Sequence, residues 1–239
     1  MAAWKRQRRL RVRRWPGEDW EYAHVFYRFL KTFVERPVIW ASRLHVRGAH
    51  NVPKEGPVLL AANHLSWADP VVLSAAIHRP AFYLAKEGVF RHPLTRWIVT
   101  ATGQIKVDRT VGGNDGAVST ALGLLGQGLV VGVFPEGTRS RPGQVKRGKT
   151  GIARIAAASG AIVVPVAIES GDFWPRGRSV PRLGRQVYIN IGAPFHLDIK
   201  ADDVADKKRM REATDEVMDR VRALYKEAVE AREAKERWA

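Results

Sequence analysis

The stretch "NHLSWADP", residues 63 to 70, places His64 five positions before Asp69, directly after the apolar run "GPVLLAA". An imidazole with one ring nitrogen held by a carboxylate has a fixed tautomer, and its other nitrogen is left to take a proton. Residues five apart are turned by roughly 140° within one helix. The pair therefore meets only if His64 lies on a loop and Asp69 sits in the first turn of the helix that follows. That arrangement is half of a triad whose nucleophile comes from the substrate. The same residues also read as a capping box, with Ser66 as the cap and Asp69 at the third helical position. Taken alone, the capping reading is the commoner one.

Four further segments carry groups suited to binding an anion. "FPEGTRS", residues 134 to 140, ends the apolar run "LVVGVF". The carboxyl end of an α/β strand is where such sheets place ligands, and Arg139 offers a planar fork to a phosphate. "GQIKVDR" ends at Arg109, and in "AKEGVFRHP" Lys86 closes a strand and points to the same crevice. Read singly, these are a loop, a basic edge strand and one lysine in a basic protein. "GQVKRGKT", residues 143 to 150, satisfies a phosphate-loop spacing. A phosphate loop follows its strand immediately, whereas Phe134 to Pro142 intervene here. We read the match as accidental, with Lys146 or Lys149 serving the phosphates of a substrate.

These residues need elements to position them. "PVLLAAN", "AFYLAK", "GQIKV", "LVVGVF", "AIVVPVAI" and "QVYINIG" read as strands, and "DPVVLSAAIH", "HPLTRWIVTATG", "GAVSTALGLLGQG" and "KTGIARIAAASG" as helices between them. The alternation predicts an α/β domain with a mixed, mostly parallel sheet covered by helices, "VYINIG" being the antiparallel candidate. Upstream, "MAAWKRQRRLRVRR" has seven basic side chains and no acid. Tyr22, Val25, Phe26, Phe29, Leu30, Phe33 and Val34 then recur at helical steps, and "VIWASRL" follows Pro37. These helices either lie in a lipid interface or pack on the core. From about Asp202 to Trp238 a long charged helix is expected, with Val217, Val221, Leu224 and Val229 along one side.

The composition bounds the partners. The 239 residues carry 40 Lys plus Arg against 24 Asp plus Glu, a net charge of +16, which calls for nucleic acid, anionic lipid or a phosphorylated metabolite. Cysteine is absent, which excludes disulfides, thiolate metal sites and cysteine nucleophiles. The seven histidines show no H-E-x-x-H pair, and no G-x-S-x-G elbow is present. No apolar stretch reaches the ~18 residues of a spanning helix, and no signal peptide is visible. A cytoplasmic protein, or one peripheral to the cytoplasmic face of a membrane, is expected.

Together, "NHLSWADP", "AKEGVF", "GQIKVDR", "FPEGTRS" and "VVPVAI" resemble, in order and spacing, the motifs of the glycerolipid acyltransferase family, over roughly residues 45 to 195. Within it they look closest to the 1-acyl-glycerol-3-phosphate acyltransferases. The resemblance implies that His64 is the general base and Asp69 its orienting partner, with no covalent acyl-enzyme. It assigns Arg139 and Lys86 to the acceptor's phosphate and adds Arg109 as a further candidate. Glu136, Gly137 and Thr138 would shape the acceptor loop, Lys149 joins the substrate-binding set, and Asn63 and Ser66 position the loop. The expected reaction moves a fatty acyl group from acyl-coenzyme A or acyl carrier protein to the free hydroxyl of lysophosphatidic acid, giving phosphatidic acid. Glycerol 3-phosphate, another lysophospholipid or a glycolipid are alternative acceptors. A nucleic-acid- or nucleotide-binding protein is the distant rival, and it leaves both motifs unexplained. No cofactor, metal or nucleic acid is expected, while an anionic membrane surface is. The expected organisation is an arm with amphipathic helices (1–44), a catalytic domain (45–200) and a C-terminal helix packed on it (201–239). The sequence departs from the family at Glu87-Gly88-Val89 and at the bulky Trp67.

Overall fold

The computed structural model describes residues 39–86, 104–107, 114–141, 143–170, 173–174 and 182–236. The basic arm, the aromatic stretch that follows it and is expected to be helical, "HPLTRWIVTATG" and Arg109 lie outside the described residues. The strands are β1 (Leu44–Arg47), β2 (Val58–Ala62), β3 (Ala81–Lys86), β4 (Gln104–Val107), β5 (Val130–Val133), β6 (Ile162–Glu169) and β7 (Val187–Ile191). The helices are α1 (Asp69–Ala76), α2 (Asn114–Leu125), α3 (Gly151–Ser159) and α4 (Lys207–Glu236).

Among the described residues seven strands join one sheet, in the order β1-β7-β6-β2-β5-β3-β4. Every pairing is parallel except β6 with β7, so β7 and β1 run against the other five. The expected mixed, mostly parallel sheet is therefore the one found, with "VYINI" as its antiparallel member. The edge strand β1 is the addition. Its four residues, LHVR, are too few for a visible alternation, and the partner that makes them a strand is β7, about 140 positions later.

β2 shows why the core has two sides. Its VLLAA is buried at every position, as expected of a strand covered on both faces. Val58, Leu60 and Ala62 pack with Val72, Leu73 and Ala76 of α1 and with Val164, Val166 and Ile168 of β6. Leu59 and Ala61 face the other way, onto Ile152 and Ile155 of α3 and Met210, Val217 and Val221 of α4. Helix α4 thus contributes an apolar stripe to the core, and its outer face carries ion pairs such as Arg220 with Glu216.

Two helix starts differ from expectation. α1 opens at Asp69 behind Ala68, and Ser66 is not its cap: the Ser66 hydroxyl receives only the Ala68 N–H, at 3.2 Å. α4 opens at Lys207, because Ala201–Ala205 forms a separate 3-10 turn. There Asp206 Oδ1 accepts the N–H groups of Lys208 (2.8 Å) and Arg209 (3.1 Å), which are without partners inside the helix.

The connections fix where a site can form. From β2 the chain crosses to β3 on one side, and from β5 it returns through α3 to β6 on the other. β2 and β5 are parallel neighbours, so the loops that leave their carboxyl ends start side by side, at the end of the sheet where α/β folds place ligands. "NHLSWADP" follows β2 and "FPEGTRS" follows β5.

Candidate active site

Asp69 organises the loop after β2. It is fully buried, and its Oδ2 accepts three hydrogen bonds: from the Leu65 N–H (2.7 Å), the Ser66 N–H (2.8 Å) and His64 Nδ1 (2.8 Å). A carboxylate only accepts, so the Nδ1 hydrogen lies on the imidazole and Nε2 is left with its lone pair. The His64 side chain is 19% exposed, so the ring is open to solvent on one side. Although Ser66 does not cap the helix, the aspartate gathers the Leu65 and Ser66 N–H groups and orients the histidine as well.

The main chain of His64 is held by the loop after β5. Its N–H donates to Glu136 Oε1 at 2.9 Å, and its carbonyl accepts the Ser140 N–H at 2.6 Å. Glu136 is buried, and its other oxygen accepts the Ser140 hydroxyl and the Lys146 N–H (3.0 Å). Both oxygens of Glu136 are therefore engaged by the protein, which makes it the organiser of the loop. Asn63 adds a third anchor: its amide takes the Ile168 N–H at 2.7 Å and gives to the Ile168 carbonyl at 2.9 Å, extending the β2–β6 pairing by a side chain.

Aromatic rings complete the support. His64 stacks on Phe134 with centroids 4.3 Å apart, and Phe134 lies over Tyr83 at 5.9 Å. Gly132 makes room for Tyr83, since a Cβ there would stand 2.2 Å from its ring. Trp67 meets Trp174 edge-on at 3.9 Å, and the Ser66 hydroxyl donates to the Trp174 carbonyl at 3.3 Å. Trp67 therefore packs against a later segment of the chain.

The expected cationic residues are partly assembled. Gly137 has φ +69°, and the Lys149 methylenes lie about 3 Å from where its Cβ would be. Lys149 is exposed and crosses directly over the "EG" of the motif, with its N–H on the Pro135 carbonyl at 2.8 Å. Lys146 Nζ donates to the Arg139 carbonyl at 3.1 Å. Arg139 is half-buried and Thr138 exposed in the same turn. Lys86 ends β3 as expected; its side chain, like all of Arg109, lies outside the described residues.

The phosphate-loop match is not built as one. Residues 143 to 149 fold back over the "FPEGTRS" turn, and the Lys146 and Lys149 N–H groups go to Glu136 and Pro135. They are unavailable for cradling a nucleotide. Among the described residues no cluster of His, Cys, Asp and Glu could hold a metal. Sequence reading gave no role to Phe134 or Tyr83 and had no signal for them, because ring stacking across neighbouring strands leaves no local spacing.

Comparisons with known proteins bear on the family to which this fold belongs. The Acyltransferase family model matches residues 43–169, more than half of the chain. The chain is 28% identical over 156 residues to a 1-acyl-sn-glycerol-3-phosphate acyltransferase of Borreliella burgdorferi, covering 64% of this chain and 62% of that protein. It is 27% identical to a chloroplastic enzyme of the same name from Arabidopsis thaliana, over 80% of this chain and 54% of that one. The chain thus spans just over half to somewhat under two thirds of these relatives. The Bacillus subtilis enzyme of that name is covered over 96% of its length, at 28% identity and 83% of this chain. The crystal structure of the 1-acyl-sn-glycerophosphate acyltransferase of Thermotoga maritima superposes with a TM-score of 0.66 at 25% identity, over 91% of this chain and 84% of that one. The family match, which runs from just before β1 to the end of β6 and spans both the His64–Asp69 segment and the "FPEGTRS" turn, places the chain in the Acyltransferase family.

Proposed function

We propose that the protein transfers a fatty acyl group from a thioester to the free hydroxyl of lysophosphatidic acid, giving phosphatidic acid. The observation that carries this reading is the double hold on His64: Asp69 fixes its ring, and Glu136 and Ser140 fix its main chain beside a cationic turn. His64 Nε2 takes the hydroxyl proton as that oxygen attacks the thioester carbonyl carbon, and Asp69 stabilises the imidazolium. The C–S bond then breaks, and the imidazolium returns the proton to the departing thiolate. Arg139 and Lys149, with Lys86 and Arg109, bind the acceptor's phosphate. The relatives' names support this acceptor.

The donor is acyl-coenzyme A or acyl carrier protein, both anionic and suited to a chain of net charge +16. Attachment is peripheral, on the cytoplasmic face of an anionic membrane. Among the described residues no helix is long and apolar enough to cross a membrane. Trp40 (77% exposed) and Leu183 (67%) belong to segments joined by the Gly184 N–H on the Ala41 carbonyl, with exposed Arg43 and Arg185 adjoining. An apolar tip rimmed by arginines suits acidic headgroups. Binding to phosphatidylglycerol vesicles, weakened by salt and by Trp40→Ala, is the expected result; equal binding to uncharged vesicles would count against it.

The activity is tested by thiol release from palmitoyl-coenzyme A and from palmitoyl-acyl carrier protein. Release that requires lysophosphatidic acid and disappears in folded His64→Ala is expected. Glycerol 3-phosphate, other lysophospholipids and a glycolipid acceptor form the comparison panel. Release preferring one of these would move the assignment to that acceptor, and none with any would remove it.

A further inference from the structure

The basic loop from Gly143 to Lys149 is attached at both ends to helix α4, far from it in sequence. At one end the Gly143 N–H donates to the Tyr225 hydroxyl oxygen at 2.9 Å, across 82 positions. Tyr225 in turn donates to Glu169 Oε2 at the end of β6, and Arg232 Nη1 meets Glu169 Oε1 at 3.1 Å. Burial, reinforced by the Glu169 carboxylate, pushes the Tyr225 hydroxyl far above the usual phenol range. It keeps its proton and gives to Glu169 while accepting from Gly143. At the other end Arg211 forks Asp215 at 2.6 and 2.9 Å and donates a third hydrogen bond, from Nη1, to the Gly148 carbonyl at 2.7 Å. Gly148 also lies tight on α4, since a Cβ there would stand 2.8 Å from Met218 Cγ.

Between these two tethers lie Lys146, against Glu136 and Arg139, and just past the second lies Lys149, over Gly137. We propose that Tyr225 and Arg211 are positioning residues through which the C-terminal helix places the basic loop, and with it Lys146 and Lys149, for the phosphate of the acceptor. This rests on the reading of the site as an acyltransferase acting on a phosphorylated acceptor. Glu169 belongs to the device: a buried carboxylate at the end of β6 fixes the phenol, and Arg232 balances its charge. Neither tether bonds to His64 or Asp69, and the loop reaches His64 only at second hand, through the Lys146 N–H on Glu136, so acceptor binding is weakened more than the chemical step.

The test compares wild type with Tyr225→Phe and Arg211→Lys, using Arg222→Ala on the outer face of α4 as control. Acceptor-dependent thiol release gives KM for each substrate, and hydrogen exchange at residues 143 to 149 reads loop placement without activity. Loss of one tether is expected to raise KM for lysophosphatidic acid by ~3- to 10-fold, the scale of one hydrogen bond. Donor KM should stay near wild type, kcat at saturating acceptor should fall less than acceptor affinity, and the loop amides should exchange faster. Unchanged acceptor KM with unchanged exchange in folded variants would overturn the proposal, as would a loss shared by both substrates and kcat. Should Tyr225→Phe fail to fold, Arg211→Lys decides by the same criteria, because Arg211 is 24% exposed and outside the core. Wild-type protein without acceptor-dependent release would overturn the acyl-transfer reading itself, while the exchange measurement still decides whether α4 holds the loop.

Discussion

At the scale of residues, His64 and Asp69 play different physical parts, which separates their mutants. In the proposed mechanism the His64 ring takes the proton, and it also bonds Asp69 and stacks on Phe134, whereas Asp69 Oδ2 collects two backbone N–H groups besides the imidazole. His64→Ala should lower kcat by ~10²- to 10⁴-fold, the usual worth of a general base, with little change in melting temperature. Asp69→Asn should lose activity as well, and it should also cost about 1–3 kcal/mol of stability, because an amide oxygen accepts more weakly and its NH₂ faces donors. Thermal unfolding of the two variants side by side checks this. The pair was legible in the sequence because it lies within one short segment. Glu136 was legible only as part of a motif; that its carboxylate holds the His64 main chain depends on a contact across 72 positions.

At the scale of elements, the site depends on what β5 omits. Gly132 has no side chain because Tyr83 from β3 occupies that space, and Tyr83 carries Phe134, which carries His64. Gly132→Val should force the stack aside, costing about 1–3 kcal/mol as overpacking does, and kcat should fall more than acceptor affinity. Tyr83→Leu in the same chain should restore part of the stability by vacating the space but little of the activity, because the ring under Phe134 is gone. Stability curves and kinetics of the single and double variants distinguish these outcomes. The strands themselves were readable from runs such as "VLLAA" and "IVVPVAI", whose residue types persist through each element. The start of α4 was not, because Asp202, Asp203 and Asp206 all look like caps and only Asp206 holds the first turn of the helix.

At the scale of the whole molecule, α4 holds the basic loop at Gly143 and Gly148, and one of its ion pairs makes a pH prediction. Hydrogen bonds from Arg211 hold the Asp215 carboxyl below the usual carboxylate range, with Arg147 adding to the effect at 3.6 Å. A depressed folded-state pKa gives stability that is present above the ordinary Asp value, about 3.9, and is lost as pH falls through the lowered one. Asp215→Asn should therefore lower the melting temperature slightly at neutral pH, the pair being part-exposed, and the difference should vanish in strong acid. A gap that persists there would mean that packing, not charge, is what Asp215 supplies. The sequence by itself determined the alternation of strands and helices from β2 to β7, the large positive charge and the chemistry-bearing motifs, since residue type, spacing and periodicity are local properties of a chain. Only the tertiary structure decided which strands became neighbours, that the loops after β2 and β5 interlock through His64, Glu136 and Ser140, and that Tyr225 holds Gly143. Those are contacts between residues 72 to 82 positions apart, and no local pattern records which distant partner a buried donor or ring will meet.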